Sequence, residues 1–304
     1  MLKLRIPAAT ANLGCGYDTF GMALGYYNYL EFAEAEQYDL RIIGEGEGHL
    51  PRNNANLVVR AAAAAYELAG RSMPPLALTA HNNIPLSRGM GSSSSAIVAG
   101  IMAANTLMGD PLDRPALLEL AAKLEGHPDN VAPAIYGGFT ITAHEGGRLY
   151  CKKLTLPPQL RVLLAIPSFT VATKKARAIL PRQVALTDAV FNISHAAYMA
   201  AALAEGDIRG FGAMLFDRLH QPYRYQLVRG AQDVADAAVA AGAIGCVLSG
   251  SGPTMAAFSE DDEPLNAGIA AAMSEAFARN GVSCRMMILN TDNRGAALME
   301  QEEE

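Results

Sequence analysis

The chain has 304 residues, of which 51% are hydrophobic and 18% are charged, so a substantial core can be buried and disorder is not expected. Its net charge of −6 argues against a nucleic-acid-binding protein, and no apolar run reaches the roughly 18 residues of a membrane span. The four cysteines are far apart and form no Cys-x-x-Cys pair, which indicates reduced thiols in a cytoplasmic protein rather than a zinc site or a disulfide framework. A chain of this length is expected to form one large domain or two closely packed ones.

Strands and helices are predicted to interleave along the first half of the chain. Apolar or alternating residues predict strands over residues 2–6, 26–32, 38–43 and 75–82. Composition predicts helices over residues 55–69 and 96–108, and Asp113 is placed as the N-cap of a third helix that ends near Leu124. The segment 7–21 is expected to be irregular.

The second half of the chain continues this interleaving. The predicted strands cover residues 160–166, 244–248, 255–258 and 283–289. The predicted helices cover residues 188–204, 206–216, 232–241 and 265–279. Strands that interleave with helices and are expected to be mostly antiparallel indicate an α+β layered architecture rather than a doubly wound sheet. The paired Pro157 and Pro158 suggest a boundary between domains 1–157 and 158–304, and the acidic residues 300–304 are expected to be a frayed, solvated end.

The most informative segment is a glycine- and serine-rich loop that precedes the predicted helix 96–108. Its glycines allow a tight turn and a close approach to a ligand, and unpaired N–H groups at a helix N-terminus suit a phosphate, although ordinary linkers share this composition. The loop lacks the lysine of a Walker P-loop and the spacing of a dinucleotide fingerprint. Phosphate chemistry here therefore needs another positive charge, such as a metal with an acidic ligand. The loop consists of Pro85, Leu86, Ser87, Arg88, Gly89, Met90, Gly91, Ser92, Ser93, Ser94 and Ser95.

Three other loops, at residues 7–18, 125–138 and 249–254, are also built from small or polar residues. Taken alone, each is explained as an Asx turn, a helix cap or a hairpin loop. In order along one chain, however, the segments Ala-Thr-Ala-Asn-Leu-Gly, Pro-x-x-x-Gly-Met-Gly-Ser-Ser-Ser-Ser and Ser-Gly-Ser-Gly-Pro resemble the three motifs of the GHMP small-molecule kinases.

Within that superfamily the chain is similar to the homoserine kinase branch, over about residues 3 to 290. The residues that carry this likeness are Thr-Ala-Asn-Leu-Gly at 10–14, Gly-Tyr-Asp at 16–18, His-Pro-Asp-Asn-Val-Ala-Pro-Ala at 127–134, Thr-Lys-Lys-Ala-Arg at 173–177 and Leu-Pro at 180–181. The resemblance implies a two-layer α+β GHMP kinase fold, with an N-terminal ribosomal-protein-S5-like domain and a C-terminal ferredoxin-like domain. It also implies ATP-dependent phosphorylation of L-homoserine, a step toward threonine, by a homodimer.

The resemblance assigns ATP to the loop 85–95, whose N–H groups would surround the phosphates. By the same match, Ser93 is a Mg²⁺ ligand and Glu125 is its carboxylate partner, a hard oxygen donor that fits this ion. Asn56, at the start of the Ala-rich helix, is a candidate for the adenine pocket with its neighbours Leu57 and Val58, although core packing explains the two apolar residues equally well.

Homoserine carries an ammonium, a carboxylate and a hydroxyl, so its pocket needs an acid, a base and polar orienting groups. Under the resemblance, Asp18 pairs with the ammonium, and Asn12 holds the hydroxyl or the amino end. Arg177 and Arg224 hold the carboxylate, since arginine suits bidentate pairing. The remaining predicted contacts are Thr173, His127, Gly250, Ser251 and Gly252.

The predicted catalytic residues are Asp129 and Asn130. Related sugar and mevalonate kinases use an aspartate with a lysine, and Asp129 occupies a similar motif position. The homoserine branch is usually interpreted as lacking a true base. We therefore expect Asn130 to orient the substrate hydroxyl and Asp129 to support the loop.

Three other functions remain as alternatives. One is a different small-alcohol kinase of the same superfamily, of the mevalonate or shikimate type. A second is a nucleotide-binding or sensing protein without catalysis, which the intact Ser93, Glu125 and Asn130 disfavour. A third is an interaction module that uses the Ala-rich helices, which are more simply core elements.

Overall fold

A computed structural model of the chain describes residues 1–299 and has the α+β architecture expected from the sequence. The strands are β1 (Leu2–Ala11), β2 (Phe20–Glu34), β3 (Asp39–Gly44), β4 (Leu76–Asn82), β5 (Phe139–Glu145), β6 (Arg148–Leu154), β7 (Leu160–Pro167), β8 (Gly245–Leu248), β9 (Met255–Glu260), β10 (Cys284–Asn290) and β11 (Ala297–Leu298). The helices are α1 (Leu57–Leu68), α2 (Ser92–Leu107), α3 (Arg114–Glu125), α4 (Val131–Tyr136), α5 (Thr173–Ala178), α6 (Leu186–Glu205), α7 (Ile208–Ala213), α8 (Gln221–Arg224), α9 (Ala231–Ala240) and α10 (Glu263–Arg279). The acidic residues 300–304 lie outside the described residues.

The first sheet has the strand order β11-β1-β2-β4-β3, with β5 paired to one end of β2 and β6 paired to β5. Its neighbours are antiparallel except for the parallel pair β3 and β4. Helices α1 to α4 share an apolar core with this sheet. Gly100 lets α2 lie directly against α1, because a Cβ at this position would overlap the carbonyl group of Val58. This packing sets the direction in which the N-terminus of α2 points.

The second sheet is antiparallel, in the order β10-β7-β9-β8. Apart from α5 to α8, which lie between β7 and α9 in the chain, its elements follow in the order β7, α9, β8, β9, α10 and β10. This βαββαβ order confirms the ferredoxin-like prediction. The central strand β7 is apolar almost throughout because both of its faces are buried. Leu163 and Ala165 pack with α9 and α10, whereas Val162 and Leu164 join a core that also contains residues of the first sheet. The two sheets are thus held together by a shared apolar interior.

Strand β1 is longer than predicted, because it continues through Pro7 to Ala11. The pairing with β2 shifts register between Pro7 and Ala8, so the ladder accommodates the proline at a bulge. The expectation of an irregular segment 7–21 is therefore wrong at both ends, since β2 already begins at Phe20. The small residues that suggested a loop are instead buried strand residues beside the glycine-rich loops.

Helix α2 begins four residues earlier than predicted, at Ser92 instead of Ala96. Gly91 is the N-cap in the left-handed conformation, and Ser95 N donates to Gly91 O over 2.8 Å. The four serines are therefore the first turn of the helix. Asp113 caps α3 as predicted, since its side chain accepts from Ala116 N.

The predictions miss the hairpin formed by β5 and β6. Its two strands are joined by Gly146 and Gly147, both with positive φ, and a Gly-Gly pair between alternating runs is a known hairpin signal. The predicted helix 206–216 is also too long, because α7 ends at Ala213. The chain then forms a turn before α8, in which the carboxylate of Asp217 accepts hydrogen bonds from the backbone N–H groups of residues 219–221.

The last described residues return to the first sheet. Leu4 and Arg5 pair with β11, and Leu24 forms a bridge with Thr291. Asp292 accepts from Arg5 Nη2 at 3.2 Å and from Tyr27 OH at 2.9 Å. The second half of the chain therefore contributes a strand and a buried carboxylate to the first sheet.

Among residues 1–299, every helix is too short or too polar to span a lipid bilayer. All four cysteines carry free thiols, as predicted.

Candidate active site

An open cavity of about 510 Å³ lies where the glycine-rich loops of the two halves meet. Most of the residues that the sequence indicates line it, although they are up to 239 positions apart. These residues are Asn12, Asp18, Asn56, Leu86, Ser87, Arg88, Gly89, Gly91, Ser92, Ser93, Glu125, His127, Asp129, Asn130, Thr173, Arg177, Arg224, Gly250 and Ser251.

Five residues predicted to contact ATP or substrate lie outside this lining: Pro85, Met90, Ser94, Ser95 and Gly252. Met90 is buried in the apolar interior between the sheets, and Pro85 is buried beside the loop. The side chains of the two serines are fully buried on α2. Gly252 packs against Leu248, where a Cβ would come within 2.8 Å of that side chain. These five residues support the loops from behind.

The glycine- and serine-rich loop at residues 85–95, called the phosphate-type loop below, is held in shape by backbone conformations that favour glycine. Gly89 and Gly91 have φ values of 75° and 70°, and a Cβ at Gly89 would overlap the carbonyl oxygen of Ser249. Ser249 Oγ lies 2.6 Å from Gly89 O and 2.9 Å from Thr10 Oγ1. The N-terminal, central and C-terminal motifs are therefore in direct contact.

The N-terminus of α2 opens into this cavity. The N–H groups that precede that of Ser95 have no acceptor within the helix, and the helix dipole places partial positive charge there. Ser92 and Ser93 line the cavity at this end. The arrangement is suited to an anion such as a phosphate.

Glu125 is the carboxylate that faces these serines. It is the last residue of α3, which ends at Gly126 in the left-handed conformation. Its Oε1 accepts from Ser93 Oγ at 2.5 Å and from Ser94 Oγ at 2.8 Å. Within residues 1–299, no group of three or more His, Cys, Asp or Glu residues could hold a metal by itself. One carboxylate beside a hydroxyl fits Mg²⁺, which usually keeps phosphate oxygens and water as its other ligands.

Asp129 and Asn130 lie side by side but have different partners. Asp129 is 2% exposed, and its Oδ1 lies 2.6 Å from His127 Nδ1. Burial lowers the pKa of His127, but the hydrogen bond and the charge of Asp129, with the charge of Glu125, outweigh burial and raise that pKa overall. Asn130 Oδ1 is buried without a hydrogen-bond partner among the described residues. A Cβ at Gly91 would lie 3.2 Å from this oxygen, so Asn130 borders the phosphate-type loop.

Asp18 and Arg177 form a bidentate ion pair. Arg177 Nη1 and Nη2 donate to the two carboxylate oxygens of Asp18 at 2.8 and 2.7 Å, and Nη1 also donates to Tyr17 OH at 2.9 Å. The hydrogen bonding of Arg177 to the carboxylate of Asp18 raises the pKa of the guanidinium. The prediction gave these two residues separate ligand groups, but here they satisfy each other. Arg177 therefore has a carboxylate partner within the protein, and its contact with a substrate carboxylate stays a prediction.

Arg224 is the second arginine predicted to hold the carboxylate, and it is 2% exposed at the end of α8. Its Nε donates to Ala176 O at 3.1 Å, and its Nη1 donates to Gly250 O at 3.2 Å. No carboxylate forms a salt bridge with it anywhere in residues 1–299. Burial lowers its pKa. A desolvated cation without a counter-ion at a cavity wall favours an anionic ligand.

Two predicted contact residues use their side chains within the protein. Asn12 Nδ2 donates to Gly250 O at 2.9 Å, and its Oδ1 accepts from Asp18 N at 2.9 Å. Asn56 caps α1 through Val58 N, and its amide also donates to Pro51 O. Both residues therefore shape the cavity wall, and the contact of Asn12 with a substrate group stays a prediction. Thr173 Oγ1 remains near the cavity, 3.3 Å from Ser251 Oγ.

Sequence reasoning missed the apolar end of the cavity. It is lined by Ile42, Leu50, Pro51, Ala80 and Ala96, together with the predicted Leu57 and Val58. An apolar recess with a polar rim suits a planar base. The apolar Leu-Pro pair inside an otherwise polar loop is a weak signal for it. Tyr17 and His220, which contact the two arginines, were missed as well.

Comparisons with known proteins show the family of the chain. Residues 56–138 match the model of the GHMP kinases N-terminal domain, and residues 199–279 match the model of the GHMP kinases C-terminal domain. The chain is 47% identical to a homoserine kinase from Moorella thermoacetica over 98% of this chain and 100% of that protein. It is 46% identical to one from Gloeobacter violaceus over 85% of this chain and 88% of that protein. The crystal structure of a homoserine kinase from Cytophaga hutchinsonii superposes with a TM-score of 0.89 at 31% identity, covering 98% of this chain and 97% of that one. The chain therefore belongs to the homoserine kinase family of the GHMP kinases.

Proposed function

We propose that this chain transfers the γ-phosphoryl group of ATP to the side-chain hydroxyl of L-homoserine and so forms O-phospho-L-homoserine for threonine biosynthesis. The observation that carries the proposal is the pairing of two features in one cavity. One is the open N-terminus of α2, which suits phosphates, and the other is the buried, unpaired Arg224, which suits a carboxylate. Family membership supports the same substrate.

ATP binding falls to the first half of the chain. The loop residues that line the cavity and the first turn of α2 offer N–H groups to the phosphates. The apolar recess around Leu50 and Pro51 receives the base. Residues 1–157 then act as the nucleotide-binding part, and residues 158–304 complete the substrate site.

The residues that would hold Mg²⁺ are Ser93 and Glu125. Their oxygens form a hard-donor pair at the phosphate end of the cavity, which fits this ion. When bound, Mg²⁺ supplies positive charge that offsets the charge on the phosphates.

Phosphoryl transfer asks the protein chiefly to align the reactants. Asn130 Oδ1 is a buried acceptor beside the phosphate loop and lacks a partner in the described chain, so it accepts a hydrogen bond from the substrate hydroxyl. Asp129 is engaged with His127 and supports the loop. The proton of the hydroxyl leaves toward the transferred phosphate, and no protein base is required.

The two charged ends of homoserine each have a partner among the residues that line the cavity. The ammonium approaches Asp18, which keeps free lone pairs beside Arg177, and the carboxylate approaches Arg224. A mevalonate- or shikimate-type substrate has no ammonium to use the carboxylate of Asp18. The enzyme is further proposed to act as a cytoplasmic homodimer.

The test is coupled ADP release with L-homoserine, mevalonate and shikimate, each with and without Mg²⁺. We expect turnover with homoserine in the presence of Mg²⁺ and a loss of turnover when the ion is removed with EDTA. Faster turnover with mevalonate or shikimate would assign the other kinase type. ATP binding without turnover of any substrate would assign a sensor, and the mass of the protein in sedimentation equilibrium would test the dimer.

A further inference from the structure

We propose that His220 is a positioning residue, which as a neutral imidazole holds Arg224 in the orientation that receives the substrate carboxylate; this inference rests on the proposed function.

Arg224 needs such a partner because it is a buried cation with few contacts. The carbonyl groups of Ala176 and Gly250 accept two of its N–H groups, and each lies more than 3 Å from the donor nitrogen. The third contact is His220 Nδ1, 3.4 Å from Arg224 Nη1. A guanidinium nitrogen can only donate, so this contact is a hydrogen bond only if Nδ1 carries a lone pair.

The other ring nitrogen of His220 shows which tautomer is present. His220 Nε2 lies 2.8 Å from Gly14 O, and a carbonyl oxygen can only accept, so Nε2 carries the proton. Its second neighbour, Asp217 Oδ2 at 3.4 Å, is also an acceptor and already receives the backbone N–H groups of His220 and Gln221. In a neutral ring Nδ1 is then the acceptor that faces Arg224.

The surroundings of His220 keep the ring neutral. The side chain is fully buried, and burial lowers its pKa against the opposing charge of Asp217. The nearby Arg224 lowers that pKa further, since a protonated ring would place two cations in contact. Tyr17 covers both groups, with its ring centre 5.2 Å from the His220 ring and 5.0 Å from the Arg224 guanidinium. The orientation of Arg224 is therefore determined by a packed set of side chains behind the cavity wall.

Two substitutions separate the two hydrogen bonds of His220. In His220→Asn, the amide oxygen can take the place of Nδ1 and accept from Arg224, while the bond to Gly14 is lost. In His220→Gln, the longer amide can donate to Gly14 O from the place of Nε2, while the acceptor for Arg224 is lost. Comparing the two variants thus shows whether His220 acts by orienting Arg224 or only by supporting the loop at Gly14.

The measurements are the dissociation constant of L-homoserine by calorimetry without nucleotide, the KM for ATP, kcat and the melting temperature. We expect His220→Gln to weaken homoserine binding by about tenfold, which corresponds to about 1.4 kcal/mol. His220→Asn should stay within about threefold of wild type, and the KM for ATP should change in neither variant. In an Arg224→Ala background, His220→Gln should add less than about twofold, because its target is gone.

Several outcomes would overturn the inference. One is a greater loss of homoserine affinity in His220→Asn than in His220→Gln, or equal losses that follow the melting temperature. Another is full additivity with Arg224→Ala. Nitrogen NMR of the wild-type enzyme tests the tautomer without any substitution, and a protonated Nδ1 would also overturn it. A wild-type enzyme that binds homoserine but gives any of these results refutes this inference alone, whereas one that neither binds nor phosphorylates homoserine refutes the proposed function first.

Discussion

Asp129 and Asn130 show how two adjacent polar side chains acquire different chemistry from their surroundings. Asp129 is a buried carboxylate whose Oδ1 is 2.6 Å from His127 Nδ1. Asn130 has an equally buried oxygen that has no partner among the described residues. A buried acceptor is rarely left unsatisfied, so one that borders a ligand cavity is explained by a ligand group that completes it.

Asn130→Ala is predicted to lower kcat by about 100-fold, because the nucleophile loses its orienting acceptor and small misplacements are costly. Asp129→Asn should change kcat less, since the amide can still contact His127. Steady-state kinetics and calorimetric binding of homoserine distinguish the two. If Asp129→Asn abolished turnover at unchanged homoserine affinity while Asn130→Ala did little, Asp129 would be the catalytic residue instead.

Asp129→Asn is also predicted to lower the pKa of His127, because it removes the charge and the hydrogen bond that raise it. The folded-state pKa of His127 lies above its ordinary value of 6.5. The contact therefore contributes stability that is complete below about pH 6.5 and is lost as the pH rises through the raised pKa. Proton NMR titration of the imidazole tests this, with Asp261→Asn, in a half-exposed surface ion pair, as the control that should leave His127 unaffected.

At the scale of elements, the site depends on contacts between loops of the two halves. The loop before α2 and the loop between β8 and β9 touch at Gly89, which leaves no room for a side chain. Arg88 adds a second connection, because it donates to the carbonyl oxygens of Phe169 and Ser168 at 2.7 and 3.0 Å. Those carbonyls belong to the segment that leads into α5, which carries Thr173 and Arg177. The phosphate-type loop is therefore tied to the substrate side.

Gly89→Ala is predicted to raise the KM for ATP more than tenfold and to lower the melting temperature. Both Gly89 and Gly250 have positive φ, where a side chain costs roughly 1–2 kcal/mol. Only Gly89 adds an overlap with a backbone carbonyl, whereas the nearest atom to a Cβ at Gly250 is 3.3 Å away. Gly250→Ala is thus the matched control with the smaller effect, and equal effects of the two would contradict this account.

Gly252, in the same loop, has a φ of 79° and lies against Leu248 behind the cavity, so we expect Gly252→Ala to act mainly on stability.

At the scale of the whole molecule, the last described segment connects the second half of the chain to the first sheet. After β10 it crosses back to the first sheet, where Asp292 accepts from Arg5, Tyr27 and the backbone N–H groups of Arg294 and Gly295. Asn293 also bonds to both backbone groups of Leu156. The hydrogen bonds of the Asp292 and Asn293 side chains therefore connect the segment after β10 to the first half of the chain, in addition to the apolar core that the two sheets share.

Asp292→Ala is predicted to destabilise the protein by about 3 kcal/mol, because it leaves several donors without their buried acceptor. The pKa of Tyr27, raised to about 12 by burial and by Asp292, should fall in this variant. Urea unfolding and ultraviolet titration measure the two effects. Asp39→Ala removes an exposed ion pair with Arg41 and should change stability by less than about 0.5 kcal/mol, so an equal loss in both variants would be inconsistent with a special role of Asp292.

Much of this fold could be predicted because its signals are local. The N-cap at Asp113, the Ala-rich composition of α1 and the apolar run of β7 depend on neighbours within a few residues. The glycine-rich motifs also indicated the cavity, since their residue types and order are themselves the signal. The hairpin of β5 and β6 was missed although its Gly-Gly turn is equally local.

The pairing of charges could not be predicted, because it depends on residues far apart in the chain. Arg177 meets Asp18 across 159 positions and so is occupied, whereas Arg224 is buried and forms no salt bridge with a carboxylate among residues 1–299. The sequence does not distinguish one arginine from another. Their roles differ because packing determines which residues each arginine contacts and how much solvent reaches it. Local residue types were therefore sufficient to indicate a phosphate-binding loop, and the order of the motifs indicated a kinase through its resemblance to a family. Only long-range packing determined which charges are paired within the chain.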